Sequence, residues 1–147
     1  MTFYPDMSVT TMVTSGDHVR AVGWLHLGHH YSIGISPWAF RRRLRQFVKR
    51  CDESTEALGW GIYAGKHTCE YCRLRRGYMN FGVPYKGLLF VAPEMILHYV
   101  RWHLYLPPAE FIGAVLSTPL PGTERYWRMV APFRRLEHKR QGGGGTF

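Results

Sequence analysis

Two cysteines set two residues apart, with two histidines further along, constrain this chain more than any other feature. His67-Thr68-Cys69-Glu70-Tyr71-Cys72 is followed after 25 residues by His98 and after four more by His103, giving Cys-x2-Cys-x25-His-x4-His. The two-residue gap lets both thiolates of a tight knuckle reach one ion, and the histidine spacing lies in the range that zinc fingers use. Tyr78–Val83 and Leu88–Val91 read as strands joined by a turn at Pro84-Tyr85-Lys86-Gly87. Ala92-Pro93-Glu94 is then predicted to open a helix, with Pro at its first position and Glu near its positive end. Knuckle, hairpin and ligand-bearing helix follow the order of a ββα or treble-clef zinc site.

The expected metal ligands are Cys69, Cys72, His98 and His103, with His67 as the alternative fourth ligand and Cys51 a more distant candidate. Two thiolates and two imidazoles suit tetrahedral Zn2+. The plain alternative is a pair of free thiols and two partly buried histidines. A redox cysteine pair lacks a helix opening at the first cysteine. Two features strain the zinc reading. The 25-residue interval is about twice that of an ordinary finger, so the hairpin must be larger. On an ideal helix, residues five apart point about 140° from each other, so convergence requires a tightened or frayed last turn.

That helix carries Met95, Ile96, Leu97, Tyr99, Val100, Trp102, Leu104 and Tyr105, leaving Glu94 and Arg101 as a narrow polar strip. A helix apolar nearly all round is predicted to be buried in the core or in an interface. Glu94, one turn before His98, either orients that ring from behind or complements the helix dipole.

The remaining pattern indicates an α+β fold: one domain over residues 1–140 with a small antiparallel sheet and flanking helices. Residues 1–16 are expected to form an arm or edge strand, and 141–147 a flexible Gly-rich tail. Val19–Leu27 and Leu58–Ala64 read as strands, the second delivering the chain to Cys69. Ser36-Pro37 opens a helix whose stripe is Phe40, Leu44, Phe47, Val48 and Cys51. Pro107-Pro108 opens another helix, and Thr123 caps a last one that Pro132 should limit. With 147 residues, 46% hydrophobic and 20% charged, the chain is neither disordered, collagen-like nor coiled coil. No apolar run approaches the roughly 20 residues of a membrane helix. No basic and apolar leader opens the sequence, and three cysteines are an odd number, so a reducing cytoplasmic setting is expected.

The net charge is +9, with arginines clustered at 41–50, 73–76 and 125–140. Such an excess suits nucleic acid or another polyanion, or simply a solvated basic surface. Arg42, Arg45, Lys49, Arg73, Arg75 and Arg76 are the candidate phosphate contacts, and Trp38 or Tyr71 the candidate stacking residues.

Gly65-x-His67-x-Cys69-Glu70-x-Cys72, the Val91–Tyr105 helix pattern and Pro107-Pro108-x-Glu110-Phe111 together resemble a group of short bacterial proteins with no assigned function. The resemblance spans residues 50–120 and implies that the Cys and His positions form one unit, without implying an activity. Three functions remain open. The leading one is a non-catalytic, zinc-stabilised basic module contacting nucleic acid or a nucleoprotein partner. The second is a protein-interaction subunit of a bacterial defence, secretion or phage-related assembly, or a homo-oligomer. The third is a zinc hydrolase with Glu70 or Glu94 as general base. The His-x-Glu and Pro-Cys-x-x-Cys signature of deaminases is absent.

Overall fold

The computed structural model describes residues 3–10, 18–53 and 67–143, the side chains of Asp52, Glu53 and 134–143 excepted. The expected strand at Leu58–Ala64 lies outside the described residues.

The centre of the fold is β5 (Leu88–Pro93), an unbroken apolar run buried from Leu89 onward. A short strand with apolar residues on both faces belongs in the middle of a sheet, and β5 takes that place. On one side it pairs antiparallel with β4 (Asn80–Tyr85), and on the other parallel with β1 (Val19–Ala21). The sheet is therefore mixed, correcting the antiparallel sheet expected from the sequence. Parallel pairing arises because β1 reaches β5 by a long excursion through the first helix and the knuckle rather than by a hairpin.

The β4–β5 turn is tighter than the sequence implies. Tyr85 pairs with Leu88, leaving Lys86 (φ +49°) and Gly87 (φ +78°) as a two-residue loop with both residues left-handed. Pro84 belongs to β4, where an edge strand tolerates its missing N–H, and its carbonyl accepts the Thr118 hydroxyl at 2.9 Å.

β1 ends at Ala21, well short of Leu27. Gly23 turns the chain at φ +80°, and its N–H donates to Asp6 at 3.0 Å. Asp6 also accepts the Tyr105 hydroxyl at 2.7 Å, so the N-terminal segment is tied to the end of the metal-site helix. Residues 7–10, just after Asp6, run beside β1 through the Val9–Arg20 bridge, as an edge strand would.

Among the described residues, four helices flank the sheet. The apolar stripe of α1 (Trp38–Glu53) is buried as read from the sequence. Phe47 meets Phe81 at 5.9 Å and Tyr126 at 5.8 Å, and Phe40 meets Phe111 at 6.1 Å. The Ser36 hydroxyl has no hydrogen-bond partner, so it does not cap α1 through its side chain. α2 (Ile96–Trp102) starts three residues later than predicted: Pro93 closes β5 opposite Asn80, and Glu94 lies in the turn. α3 covers Ala109–Ser117. In α4 (Glu124–Gly143), Pro132 lies inside the helix rather than ending it, and residues 141–143 belong to the helix rather than to the expected tail. Among the described residues no helix is long and apolar enough to cross a membrane.

Gly23 carries two constraints at once, because a Cβ there would also lie 2.8 Å from Ile96 Cδ1. Gly23→Ala is expected to destabilise the fold by about 2–4 kcal/mol, summing left-handed strain and overpacking. Gly28, at φ +92° with open space around it, isolates the backbone cost, so Gly28→Ala should lose only about 1–2 kcal/mol. Urea unfolding of both variants measures the difference; equal losses would remove the Ile96 contact from the explanation.

Candidate metal centre and basic groove

The two cysteines lie on a knuckle formed by β2 (His67–Thr68) and β3 (Arg76–Gly77). Cys69 N–H donates to the Arg75 carbonyl at 2.8 Å, and Arg73 N–H returns to the Cys69 carbonyl at 2.9 Å. Arg73 sits at φ +59°, the left-handed residue that turns the chain after Cys72. Both sulfurs are thereby directed to one side of the loop.

The histidines converge because only one of them is in the helix. His98 lies within α2, whereas His103 is its C-cap, at φ −120° and ψ 13°. The Tyr99 carbonyl accepts from both His103 N–H and Tyr105 N–H at 3.1 Å, and Leu104 reverses the chain at φ +50°. This loosened end removes the angular conflict of an ideal five-residue spacing. Tyr31 holds it from outside, its hydroxyl donating to the His103 carbonyl at 3.0 Å.

Cys69, Cys72, His98 and His103 each present one ligand atom, and all four atoms lie within 4.8 Å of one another. Cys69 Sγ is 3.4 Å from His103 Nε2, Cys72 Sγ is 3.3 Å from His98 Nε2, and the two Nε2 atoms are 3.1 Å apart. Metal bonds of about 2.0–2.3 Å in a tetrahedron require donor separations of about 3.3–3.8 Å; the two sulfur–nitrogen distances fall in that range and the nitrogen–nitrogen distance lies just below it. The cluster is placed to hold a metal ion such as zinc. His67 is not among the four, since β2 pairs it with Gly77 on the strand leading into the knuckle. Cys51 is buried in the α1 core.

The surroundings are largely aromatic. The Tyr71 ring lies 5.3 Å from His103, and Tyr99 lies 6.0 Å from His98. Tyr71 is therefore part of the wall, with its hydroxyl on the His26 carbonyl at 3.2 Å, and is not presented for stacking. Burial pushes the Cys69 thiol up, while the N–H groups of Cys72 and Tyr71 pull it down and the Cys72 side chain raises it again. Burial, then His103 and Arg75, holds His98 below the usual imidazole range and favours the neutral ring that a metal needs.

Both acidic residues next to the ligands accept backbone N–H groups. Glu70 accepts Leu27 N–H at 2.8 Å and lies 3.6 Å from His26 Nε2. Glu94 accepts Tyr78 N–H, and among the described residues no hydrogen bond links it to His98, which corrects the orienting role considered above.

Beside the metal cluster, α1, β3 and α2 enclose a groove of about 1040 Å³. The structure brings Arg42, Arg45, Arg75, Arg76 and Trp38 together in its lining, along with the ligand His98. Arg73 and Lys49 are exposed elsewhere; Lys49 borders a smaller depression with Arg50 and Leu120. Three further groove residues were not singled out from the sequence: Arg41, Arg101 and Trp102. Trp38, Arg41, Arg42 and Arg45 follow one helical face, a signal the sequence does carry. Trp102 was hidden by the prediction that its helix is buried all round. In fact α2 buries Ile96, Tyr99 and Val100, while Trp102 is 67% exposed.

A family model described as a domain of unknown function, DUF7919, matches residues 2–116. The chain belongs to this family. The match extends beyond the 50–120 span of the resemblance to include β1 and α1, and it contains all four cluster residues but not α4. No curated protein and no solved structure matches the chain.

The geometry predicts one bound zinc per chain. Cys72→Ala or His103→Ala should cost at least about tenfold in zinc affinity, and His67→Ala should leave stoichiometric binding intact. Competition with a chromophoric chelator measures both; loss of the ion in His67→Ala alone would refute the assignment. Zinc loading near pH 7 should also release at least one proton, because the raised Cys69 thiol enters protonated, whereas neutral His98 contributes none. Titration calorimetry in buffers of differing ionisation heat detects that release, and zero release would contradict it.

Proposed function

We propose that this chain is a zinc-stabilised basic module, non-catalytic, which contacts nucleic acid through the groove between α1 and α2. The observation that carries the reading is the convergence of Arg41, Arg42, Arg45, Arg75, Arg76 and Arg101 on one groove. These residues come from three segments far apart in sequence, and among the described residues the groove's one acidic lining residue, Glu94, is engaged by Tyr78 N–H. A merely solvated surface has no reason to gather like charges, which repel one another unless a polyanion neutralises them.

The metal's role is architectural. Knuckle, β4–β5 hairpin and α2 follow one another in treble-clef-like order, and zinc held by all four side chains has no open position for a reactive water. The backbone engagements of Glu70 and Glu94 weigh against a hydrolase in the same way. Zinc thiolates and an odd cysteine count suit a reducing cytoplasm. A second reading, a subunit that docks on a protein partner, draws on Ile33, Ile35 and Leu74, which are 70%, 78% and 87% exposed.

Binding to generic DNA or RNA oligonucleotides should weaken steeply between 50 and 200 mM salt, by about a log unit or more if several phosphates are neutralised. Alanine at Arg42, Arg45, Arg75 or Arg76 should each lower the slope of log K against log salt by about one. Fluorescence anisotropy across a salt series reads both. Affinity that ignores salt, or survives removal of all four arginines, would contradict the proposal.

A further inference from the structure

We infer that the groove receives an unpaired polynucleotide strand, with bases stacked on Trp38 and Trp102. This rests on the nucleic-acid reading above and specifies its ligand. Trp38 stands in the first turn of α1 and is 64% exposed; Trp102 is the last residue of α2 and is 67% exposed. Both line the same groove, although tryptophan is on average a highly buried residue.

Each ring is paired with a groove arginine. The Arg42 guanidinium lies 5.4 Å from the Trp38 ring centroid, and that of Arg101 lies 5.4 Å from the Trp102 ring. A cation beside an aromatic face is the combination that holds a base and its phosphate together. Ile35, Leu97 and Leu104 add apolar lining between the charges, which suits base faces better than a phosphate rail does.

Duplex makes poor use of these features. In a double helix the flat faces of the bases are stacked on one another, and a protein meets only groove edges and phosphates. Two open indoles would then contribute nothing beyond what the arginines supply. In an unpaired strand every base offers a flat face, and stacking on an aromatic side chain is tolerant of sequence. The chemistry recognised is thus a phosphate chain bearing exposed bases, present in single-stranded DNA and RNA alike.

The test uses the full, zinc-loaded chain with labelled (dT)16, (rU)16 and a 16-base-pair duplex at one salt concentration. Both unpaired strands should bind at least about tenfold more tightly than duplex. Trp38→Ala and Trp102→Ala should each weaken unpaired-strand binding by about tenfold and duplex binding by less than about twofold, while Trp→Phe retains most of the affinity. Both side chains are largely exposed, so an unchanged melting temperature and an unchanged salt slope confirm that fold and arginines are intact. A preference between (dT)16 and (rU)16 reports contact with the 2′-hydroxyl, and either preference supports an unpaired strand. Equal or tighter duplex binding overturns this inference and leaves the proposed function standing, as does full unpaired-strand affinity in the double alanine variant. Failure of all three probes to bind defeats both.

Discussion

The convergence of two sulfurs and two ring nitrogens is the constraint on which the rest of the molecule depends. Four such donors do not gather in a partly buried place without compensation. Thiolates repel one another, two ring nitrogens 3.1 Å apart must share a proton, and each polar atom loses solvation. A divalent ion reverses every one of these costs. Bound there, it would also join the knuckle to the end of α2, across a hairpin that separates them in sequence. In a chain of 147 residues, such a link can supply folding free energy comparable to the whole net stability of a domain.

Fixing α2 fixes more than the metal. Ile96 and Tyr99 anchor the helix in the core, and His98 and His103 tie it to the knuckle. Trp102, Arg101 and Leu104 are consequently held on the opposite side, facing α1. Arg75 and Arg76 leave the knuckle directly into the same space. The metal cluster and the basic groove share a wall, with His98 in both, so losing the ion should disorganise the groove from one side. In the function proposed above, that coupling would give an architectural ion a functional consequence without any chemistry at the metal.

Much of this was legible in the residues because ligand chemistry is so restrictive. Cys69, Cys72, His98 and His103 are recognisable by type and spacing, and the Phe40-to-Cys51 stripe by helical period. Three prolines behave otherwise than the sequence implies: Pro84 lies in an edge strand rather than a turn, Pro93 ends a strand rather than opening a helix, and Pro132 sits within a helix rather than limiting it. Their local preference was overridden by tertiary context. The parallel β1–β5 pairing was illegible because strand partnership over a long excursion leaves no local mark. Trp102 was misplaced for a related reason. Hydrophobicity indicates that a side chain favours burial, but the crowding of neighbouring elements decides which faces receive it.

The most direct examination of the central claim is X-ray absorption at the zinc edge of the purified, zinc-loaded chain. Two sulfur and two nitrogen neighbours in a four-coordinate sphere are expected, with imidazole scattering from both rings. A sphere holding fewer than two sulfurs, or one completed by water oxygen, would contradict a closed centre made by Cys69, Cys72, His98 and His103.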